Sequence, residues 1–255
     1  MEQDRLLYKY TSFSRFIEMV EVQRLYLTNI TLWEDPYEGY PVYTSFKDKN
    51  FLYKDANSFA YIGEKESLKS LYAQAWTYDA KESDAMWRIY SPDRLGVRIT
   101  VALSDVIQCI RESLAGQFGH GMELKHYKVK YRDGLTVKKC LEKERQEGAI
   151  LDHWICEYKR MAFSHEKEYR IACAVPLEPL LAKQCRTEGE KGQKVLQNIK
   201  TPPVIYYPIS LGIFKEVLLD PRAPVYQEET FLAYCRKRSF KRDKMVFKKS
   251  ELYHL

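Results

Sequence analysis

Two carboxylates and a guanidinium occupy alternate positions in the stretch from Phe163 to Val175. If this stretch is a strand, Glu166, Glu168 and Arg170 stand in a row on one face, because side chains alternate between the two faces of a sheet. Successive members of the row would then lie roughly 6–7 Å apart. Such a row suits the floor of a polar cleft. It also suits an ion-pair ladder on a solvated outer face, and the strand pattern leaves both interpretations open.

The elements that must position this row follow from hydrophobic periodicity and from turn residues. Ser12 or Ser14 is expected to cap the first helix. No internal repeat, linker or shift in composition marks a boundary, so residues 1–255 are expected to form one α+β domain. Strands are predicted at 5–11, 25–28, 71–78, 96–101, 122–131, 163–175, 216–220 and 245–247, and helices at 13–23, 84–90, 104–114, 136–162 and 225–238.

Composition excludes several classes of protein. No apolar run approaches the roughly 18 residues that a membrane span needs, and the N-terminus lacks the apolar core of a signal peptide. The six cysteines are scattered, with no C-x-x-C pair, which predicts a reduced, cytoplasmic protein without a structural metal site. The chain also lacks a P-loop, a G-x-G-x-x-G loop, a G-x-S-x-G elbow and an H-E-x-x-H helix.

The positive charge is concentrated near the C-terminus. Residues 236–249 carry a net charge of +7, whereas the whole chain carries +6, so the rest of the chain is at −1. A patch of this kind can bind nucleic-acid phosphates without sequence preference. It can also be a solvated helix end and edge strand, where lysines discourage strand pairing. The residues expected to make any such contact are Arg236, Lys237, Arg238, Lys241 and Arg242.

A short helix beginning near Ser83 places several polar and aromatic side chains together. The i,i+4 spacing brings Asp84 to Arg88, and the i,i+3 spacing brings Trp87 to Tyr90. These residues either form a surface ion pair over a core tryptophan or line a cleft.

Four motifs in order resemble a large bacterial family of uncharacterised domains. The family pattern is Y-K/R-Y-x-S, N-D-P-x-E, M-W-x-x-Y followed by G-V, and E-x-E-Y-R. The corresponding segments here are Tyr8–Ser12, Asp35–Glu38, Met86–Tyr90 followed by Gly96-Val97, and Glu166–Arg170. Glu34 stands where the family usually has Asn, and Arg88 where it usually has a small or polar residue.

The layout of these motifs is similar to that of ADP-ribosyltransferase-like enzymes. Those enzymes have a basic or histidine residue on a first strand, a middle aromatic motif, and a late strand with a catalytic glutamate, often as E-x-E. The resemblance implies an α+β fold of split antiparallel sheets with flanking helices and NAD, the substrate, in the cleft between them. It also implies a bacterial toxin or phage-defence effector.

The resemblance implies catalytic roles for two residues. Glu168 would hold the ribose of NAD and stabilise the positive charge that develops on it, while Glu166 would orient the acceptor. Cleavage of the nicotinamide–ribose bond creates an oxocarbenium-like centre, which a fixed carboxylate stabilises electrostatically.

Other residues would bind NAD in the same scheme. Lys9 would contact the pyrophosphate or the ribose, and Tyr10 or Trp87 would stack on nicotinamide. The full set of implied NAD-binding residues is Lys9, Tyr10, Trp87, Tyr90 and Arg170.

Two functions from different classes are therefore carried forward. The first is an NAD-consuming enzyme, either an ADP-ribosyltransferase acting on a protein or nucleic acid or an NAD glycohydrolase. The second is a non-enzymatic module that binds nucleic acid or another partner through the basic segment 236–249.

Overall fold

The computed structural model describes residues 4–35, 68–118, 122–134, 136, 139, 157–176, 201–238, 240 and 245–253. The strands are β1 (Leu6–Ser12), β2 (Arg24–Asn29), β3 (Leu71–Thr77), β4 (Gly96–Ala102), β5 (Glu123–Lys128), β6 (Lys130–Arg132), β7 (Tyr158–Arg160), β8 (Glu168–Ala174), β9 (Val204–Pro208), β10 (Phe214–Leu219) and β11 (Val246–Lys249).

Four α-helices can be bounded within the described ranges, together with short 3-10 helices. Ser12 caps the first α-helix, because its side chain accepts a hydrogen bond from the backbone N–H of Arg15. The α-helices are α1 (Phe13–Val22), α2 (Asp84–Tyr90), α3 (Leu103–Phe118) and α4 (Val225–Lys237), and the 3-10 helices are Ile30–Leu32, Leu68–Ser70, Met161–Glu166 and Leu211–Ile213.

The large sheet runs in the order β11-β10-β4-β1-β3-β2-β9, with β8 on the other edge of β3 and β5 beyond β8. Its pairs are antiparallel except for β10 with β11. Strands β6 and β7 pair in parallel as a separate ribbon. The α+β fold with flanking helices is as predicted, while these two parallel pairs depart from the expected antiparallel sheets.

The large sheet is split along one edge of β3. Strand β1 meets β3 at a single registered pair, Tyr8 with Thr77, whereas β2 pairs with the opposite end of β3 through Ala73 and Tyr72. One half therefore consists of β11, β10, β4 and β1, and the other of β9, β2, β3, β8 and β5. The predicted split is confirmed, and Thr77 is the residue of β3 where the halves meet.

The two faces of the sheet are covered differently. Helices α1, α3 and α4 pack on one face and bury the main hydrophobic core, which includes Phe16, Val97, Ile110, Ile171 and Phe231. On the other face, α2 covers a small cluster around Trp87, and the 3-10 helix Ile30–Leu32 covers another around Ala73. The row of Glu168 and Arg170 lies on this second face, because Arg170 pairs with Ala75 and Ala172 with Ala73.

A close approach explains the glycine that follows α2. The backbone N–H of Gly96 donates to the hydroxyl of Ser91 at 2.8 Å. A Cβ at position 96 would lie 2.6 Å from the Cβ of Ser91, closer than side-chain carbons pack. The M-W-x-x-Y and G-V motifs are thus joined by a packed turn.

Two predicted elements were wrong. The expected strand over 163–175 begins only at Glu168, because Met161–Glu166 is a 3-10 helix that ends at Lys167 with a left-handed φ of 43°. The helix predicted over 136–162 does not reach its expected end, since Tyr158–Arg160 is strand β7. Residues 150–155 of that predicted helix lie outside the described residues. In the described part of the chain, none of the helices has both the length and the apolar character needed to cross a membrane.

Candidate active site

Glu168 is a buried, ionised carboxylate next to the junction of the half-sheets. It opens strand β8 and pairs with Thr77, and only 4% of the residue is exposed. Its Oε1 accepts from Nε of Arg170 at 2.8 Å, and its Oε2 accepts from Nη2 at 2.9 Å. Burial raises the pKa of Glu168, but the charges and hydrogen bonds of Arg170 and Lys159 outweigh burial and hold that pKa below its usual value.

Arg170 orients this carboxylate. It is fully buried, and its Cζ lies 4.4 Å from the centre of the Trp33 ring, so the guanidinium is held between an aromatic face and Glu168. The family resemblance implied that Arg170 contacts NAD, and this contact stays a prediction. In the structure its side chain has no exposed surface and holds Glu168.

Glu166 reaches Glu168 through a shared lysine. Nζ of Lys159 lies 2.7 Å from Oε2 of Glu166 and 3.1 Å from Oε2 of Glu168. The two glutamates therefore lie close together, as predicted. Glu166, however, belongs to the 3-10 helix that precedes β8 and does not lie on the strand.

Tyr90 stands at the open side of this cluster. Its hydroxyl lies 3.4 Å from Oε1 of Glu166, and 40% of the residue is exposed. Burial of the hydroxyl, together with the charge of Glu166, raises the pKa of Tyr90 to about 12. At neutral pH the hydroxyl is therefore protonated and donates to Glu166, while part of the side chain stays exposed.

The side chain of Lys9 extends from β1 to the edge of β3, at the place where the two halves of the sheet separate. Its Nζ donates to the carbonyl of Ala75 at 2.8 Å, on the edge of β3 between the β1 and β2 pairings. Burial lowers the pKa of Lys9 to about 8, against the charge of Glu168, which raises it. The predicted basic residue of the first strand thus lies within electrostatic reach of the carboxylate.

Tyr10 and Trp87 do not stand at the cluster surface. Their rings pack edge to face with centres 4.8 Å apart, and Trp87 has no exposed surface. The indole N–H of Trp87 donates to Glu82 at 3.0 Å, and the hydroxyl of Tyr10 accepts from the backbone N–H of Ser83. Both rings are core side chains with satisfied polar ends, and their stacking on nicotinamide stays a prediction.

The ion pair expected on the surface of α2 is present. Nε of Arg88 lies 2.8 Å from Oδ2 of Asp84, and both side chains are largely exposed. Of the two interpretations of this helix, the core tryptophan under a surface pair is the one that the structure supports. Tyr90 is the exception, since it faces the glutamates.

Three residues of the cluster were missed from the sequence. Lys159 bridges the glutamates, Trp33 covers Arg170, and the hydroxyl of Tyr131 accepts from the backbone N–H of Glu168 at 2.8 Å. Trp33 and Tyr131 lie on segments remote in sequence from β8, and Lys159 lies on a different strand, so no local spacing links the three to E-x-E. A usable signal for Lys159 was its place shortly before the motif.

The acidic turn of the second motif is tied to the same ribbon. Arg160, which follows Lys159 on β7, pairs with Asp35 at 3.1 Å. The remainder of that motif, Pro36 to Glu38, lies outside the described residues. Among the described residues, no cluster of three or more potential metal-ligating side chains is present.

The basic C-terminal segment is partly neutralised. Arg238 pairs with Glu21, Lys248 with Glu251 and Lys249 with Glu228. Four further residues are predicted to contact nucleic acid. Arg236 and Lys237 lie in the last turn of α4, and Lys241 and Arg242 lie outside the described residues.

The fold and the cluster together define an α+β protein with a split sheet and a buried, cation-held carboxylate beside the split. A family described as "Protein of unknown function (DUF2971)" matches residues 86–171. A search of curated proteins found no match.

Two solved structures of DarT from Thermus sp. 2.9 are similar to the chain at a low level. One is in complex with ADP-ribosylated ssDNA, at 10% identity over 100% of both chains and a TM-score of 0.37. The other is in complex with NAD+, at 9% identity over 99% of this chain and 98% of that one, also with a TM-score of 0.37.

Proposed function

We propose that this chain is an NAD-consuming enzyme, either an ADP-ribosyltransferase or an NAD glycohydrolase. The observation that carries the proposal is Glu168, an ionised carboxylate fixed by Arg170 and Lys159 beside the split of the sheet. Such a group suits a reaction in which positive charge develops on a substrate carbon, because its orientation is set before the charge appears.

Each residue of the cluster has a place in this reaction. Departure of nicotinamide leaves an oxocarbenium-like ribose, which the Glu168 carboxylate stabilises. Glu166 orients the acceptor, which is water in a glycohydrolase and a macromolecule in a transferase. Tyr90 provides the exposed ring against which nicotinamide packs, and Lys9 contributes positive charge toward the pyrophosphate or the ribose.

The test is incubation of the purified chain with NAD, followed by chromatographic measurement of nicotinamide and ADP-ribose. Release of both in equal amounts identifies a glycohydrolase. Nicotinamide release with label from NAD retained on added protein or DNA identifies a transferase. No nicotinamide release above a Glu168→Gln sample, with or without these acceptors, would contradict the proposal. Action as a toxin or phage-defence effector rests on the family resemblance.

The second candidate is nucleic-acid or partner binding through the basic segment, supported by its net charge of +7 over residues 236–249. We expect replacement of the basic residues by Ser or Gln to abolish gel shifts of DNA and RNA at low salt and to leave NAD turnover unchanged. Retained binding would place the nucleic-acid site elsewhere. The replaced residues are Arg236, Lys237, Arg238, Lys241 and Arg242.

A further inference from the structure

Lys159 is the one described residue whose ammonium contacts both glutamates of the cluster. Its side chain is only 11% exposed, and it packs over the ring of Phe163 at 4.8 Å. Because both Oε2 atoms lie within hydrogen-bond distance of the same nitrogen, those two oxygens are at most about 6 Å apart. Two carboxylates this close repel each other unless a cation lies between them.

We propose that Lys159 is a positioning residue that holds the carboxylates of Glu166 and Glu168 side by side, so that one faces the ribose and the other the acceptor. The proposal rests on the NAD-consuming function for its catalytic meaning. Its electrostatic content can be tested without NAD.

The contacts give Arg170 and Lys159 different roles. Arg170 occupies both oxygens of Glu168 as a bidentate partner. Lys159 adds a third hydrogen bond to Glu168 and a short one to Glu166, so it alone connects the pair in the described structure. Arg170 therefore fixes the orientation of Glu168, and Lys159 fixes the distance between the two carboxylates.

The neighbouring titratable groups define what a pH experiment measures. Glu168 is faced by Arg170 on its own strand, by Lys9 from β1 and by Lys159 from β7. Glu166, the Tyr90 hydroxyl and the Tyr131 hydroxyl complete the set, and both hydroxyls have a raised pKa because they are buried. His165 is exposed on the same 3-10 helix as Glu166. It is present in both the wild type and the Lys159 variants, so it does not contribute to the difference between them.

The sign of the effect follows from the depressed pKa of Glu168. In the wild type, ionised Glu168 contributes stability that is present above its unfolded-state pKa of about 4.3 and is lost as pH falls through the lower folded pKa. In Lys159→Gln one of the two cations that lower this pKa is absent, and the charge of Glu166 is uncompensated. The stabilising contribution of Glu168 is therefore smaller in this variant, so the free energy of unfolding is lower near neutral pH and falls less as the pH drops through about 4.3.

The experiment measures the free energy of unfolding by urea between pH 8 and pH 3.5 for each variant of the 255-residue chain. We expect Lys159→Gln to lower this free energy near neutral pH and to reduce its fall below about pH 5, so that the difference from the wild type shrinks on acidification, and Lys159→Arg to restore the wild-type curve. Lys130→Gln is the matched control, because Lys130 pairs at 2.5 Å with the buried Glu157 outside the cluster. Glu166→Gln should not offset the loss of stability in this control. A difference between Lys159→Gln and wild type that stays constant from pH 8 to pH 3.5 would overturn the proposal.

A second variant protects the test against misfolding. Lys159→Gln combined with Glu166→Gln removes one positive and one negative charge together, so it should fold and bring the free energy of unfolding near neutral pH back toward that of the wild type. If this double variant is destabilised as much as Lys159→Gln alone, the two carboxylates are not coupled and the proposal fails.

Measurement of NAD turnover then distinguishes failure of the proposed NAD-consuming function from failure of the positioning role of Lys159. If the wild type cleaves NAD, the acid limb of kcat should move upward in Lys159→Gln and return in Lys159→Arg, and an unmoved limb would overturn the proposal. If the wild type does not cleave NAD, the proposed function fails, while the urea measurements still decide the role of Lys159.

Discussion

Replacing Glu168 by Gln is expected to lower NAD cleavage by roughly 10²-fold or more, because the amide keeps the size of the side chain and removes its charge. The wild-type carboxylate is ionised, buried and held by two cations, so its charge is available without rearrangement when the ribose becomes positive. The measurement is the initial rate of nicotinamide release at pH 7.5 for wild type and variant at equal folded concentration.

A matched control separates lost catalysis from lost stability. Asp220 is as buried as Glu168, and Arg222, two residues later, donates to both of its oxygens at 3.0 and 2.7 Å. Arg222 also donates to the carbonyls of Trp87 and Ser91. Asp220→Asn therefore disrupts a buried pair of the same i,i+2 spacing at the end of β10, without touching the glutamate cluster.

Both variants should lower the free energy of unfolding, since each leaves a guanidinium with little or no exposed surface without its charged partner. Turnover should fall by two orders of magnitude in Glu168→Gln only. Wild-type turnover in Glu168→Gln would remove Glu168 from the chemistry. An equal loss of turnover in Asp220→Asn would show that the rate reports on folding.

Several features of the fold could be read from the sequence because they depend on local physics. Strand β4 has an alternating β-branched pattern, and β10 ends with the apolar run Val217–Leu219 shortly before Pro221. Ser12 caps α1 because a serine hydroxyl can accept from a backbone N–H at the start of a helix. The Asp84–Arg88 pair follows from helical spacing alone.

The assembly of the site depends on contacts that local spacing does not encode. Lys159 lies on a strand of three residues that pairs, among the described strands, with the short parallel strand β6, whereas the sequence pattern predicts a helix there. Glu166 departs from the strand face because Lys167 adopts a left-handed conformation, which a lysine rarely does. No rule based on alternation or on turn residues predicts either feature.

The sequence also does not predict which aromatic residues of the M-W-x-x-Y and Y-K/R-Y-x-S motifs are buried. Tyr10 and Trp87 are buried because α2 lies against β1 and because Leu218 and Leu252, from distant segments, pack around their rings. Tyr90, on the same helix, points instead toward the glutamates. The sequence shows three aromatic residues of similar type, and only tertiary packing decides which one remains accessible.

Replacing Trp87 by Ala is expected to lower the free energy of unfolding by about 3–5 kcal/mol. The indole is fully buried against Tyr10, Met86 and Leu218, so its removal leaves a cavity that the sheet and the helix cannot close. It also deprives Glu82 of one of its two donors, the other being the hydroxyl of Ser250. Urea denaturation followed by circular dichroism measures the difference.

Tyr90→Ala is the control on the same helix. It removes an aromatic ring with the same gain in helix propensity, but from a residue that is 40% exposed, so the loss of stability should be about 1 kcal/mol or less. NAD binding should respond in the opposite order, with KM raised in Tyr90→Ala and unchanged in the folded fraction of Trp87→Ala. If Trp87→Ala were as stable as Tyr90→Ala and raised KM, the indole would have to contact the ligand, and its assignment to the core would be wrong.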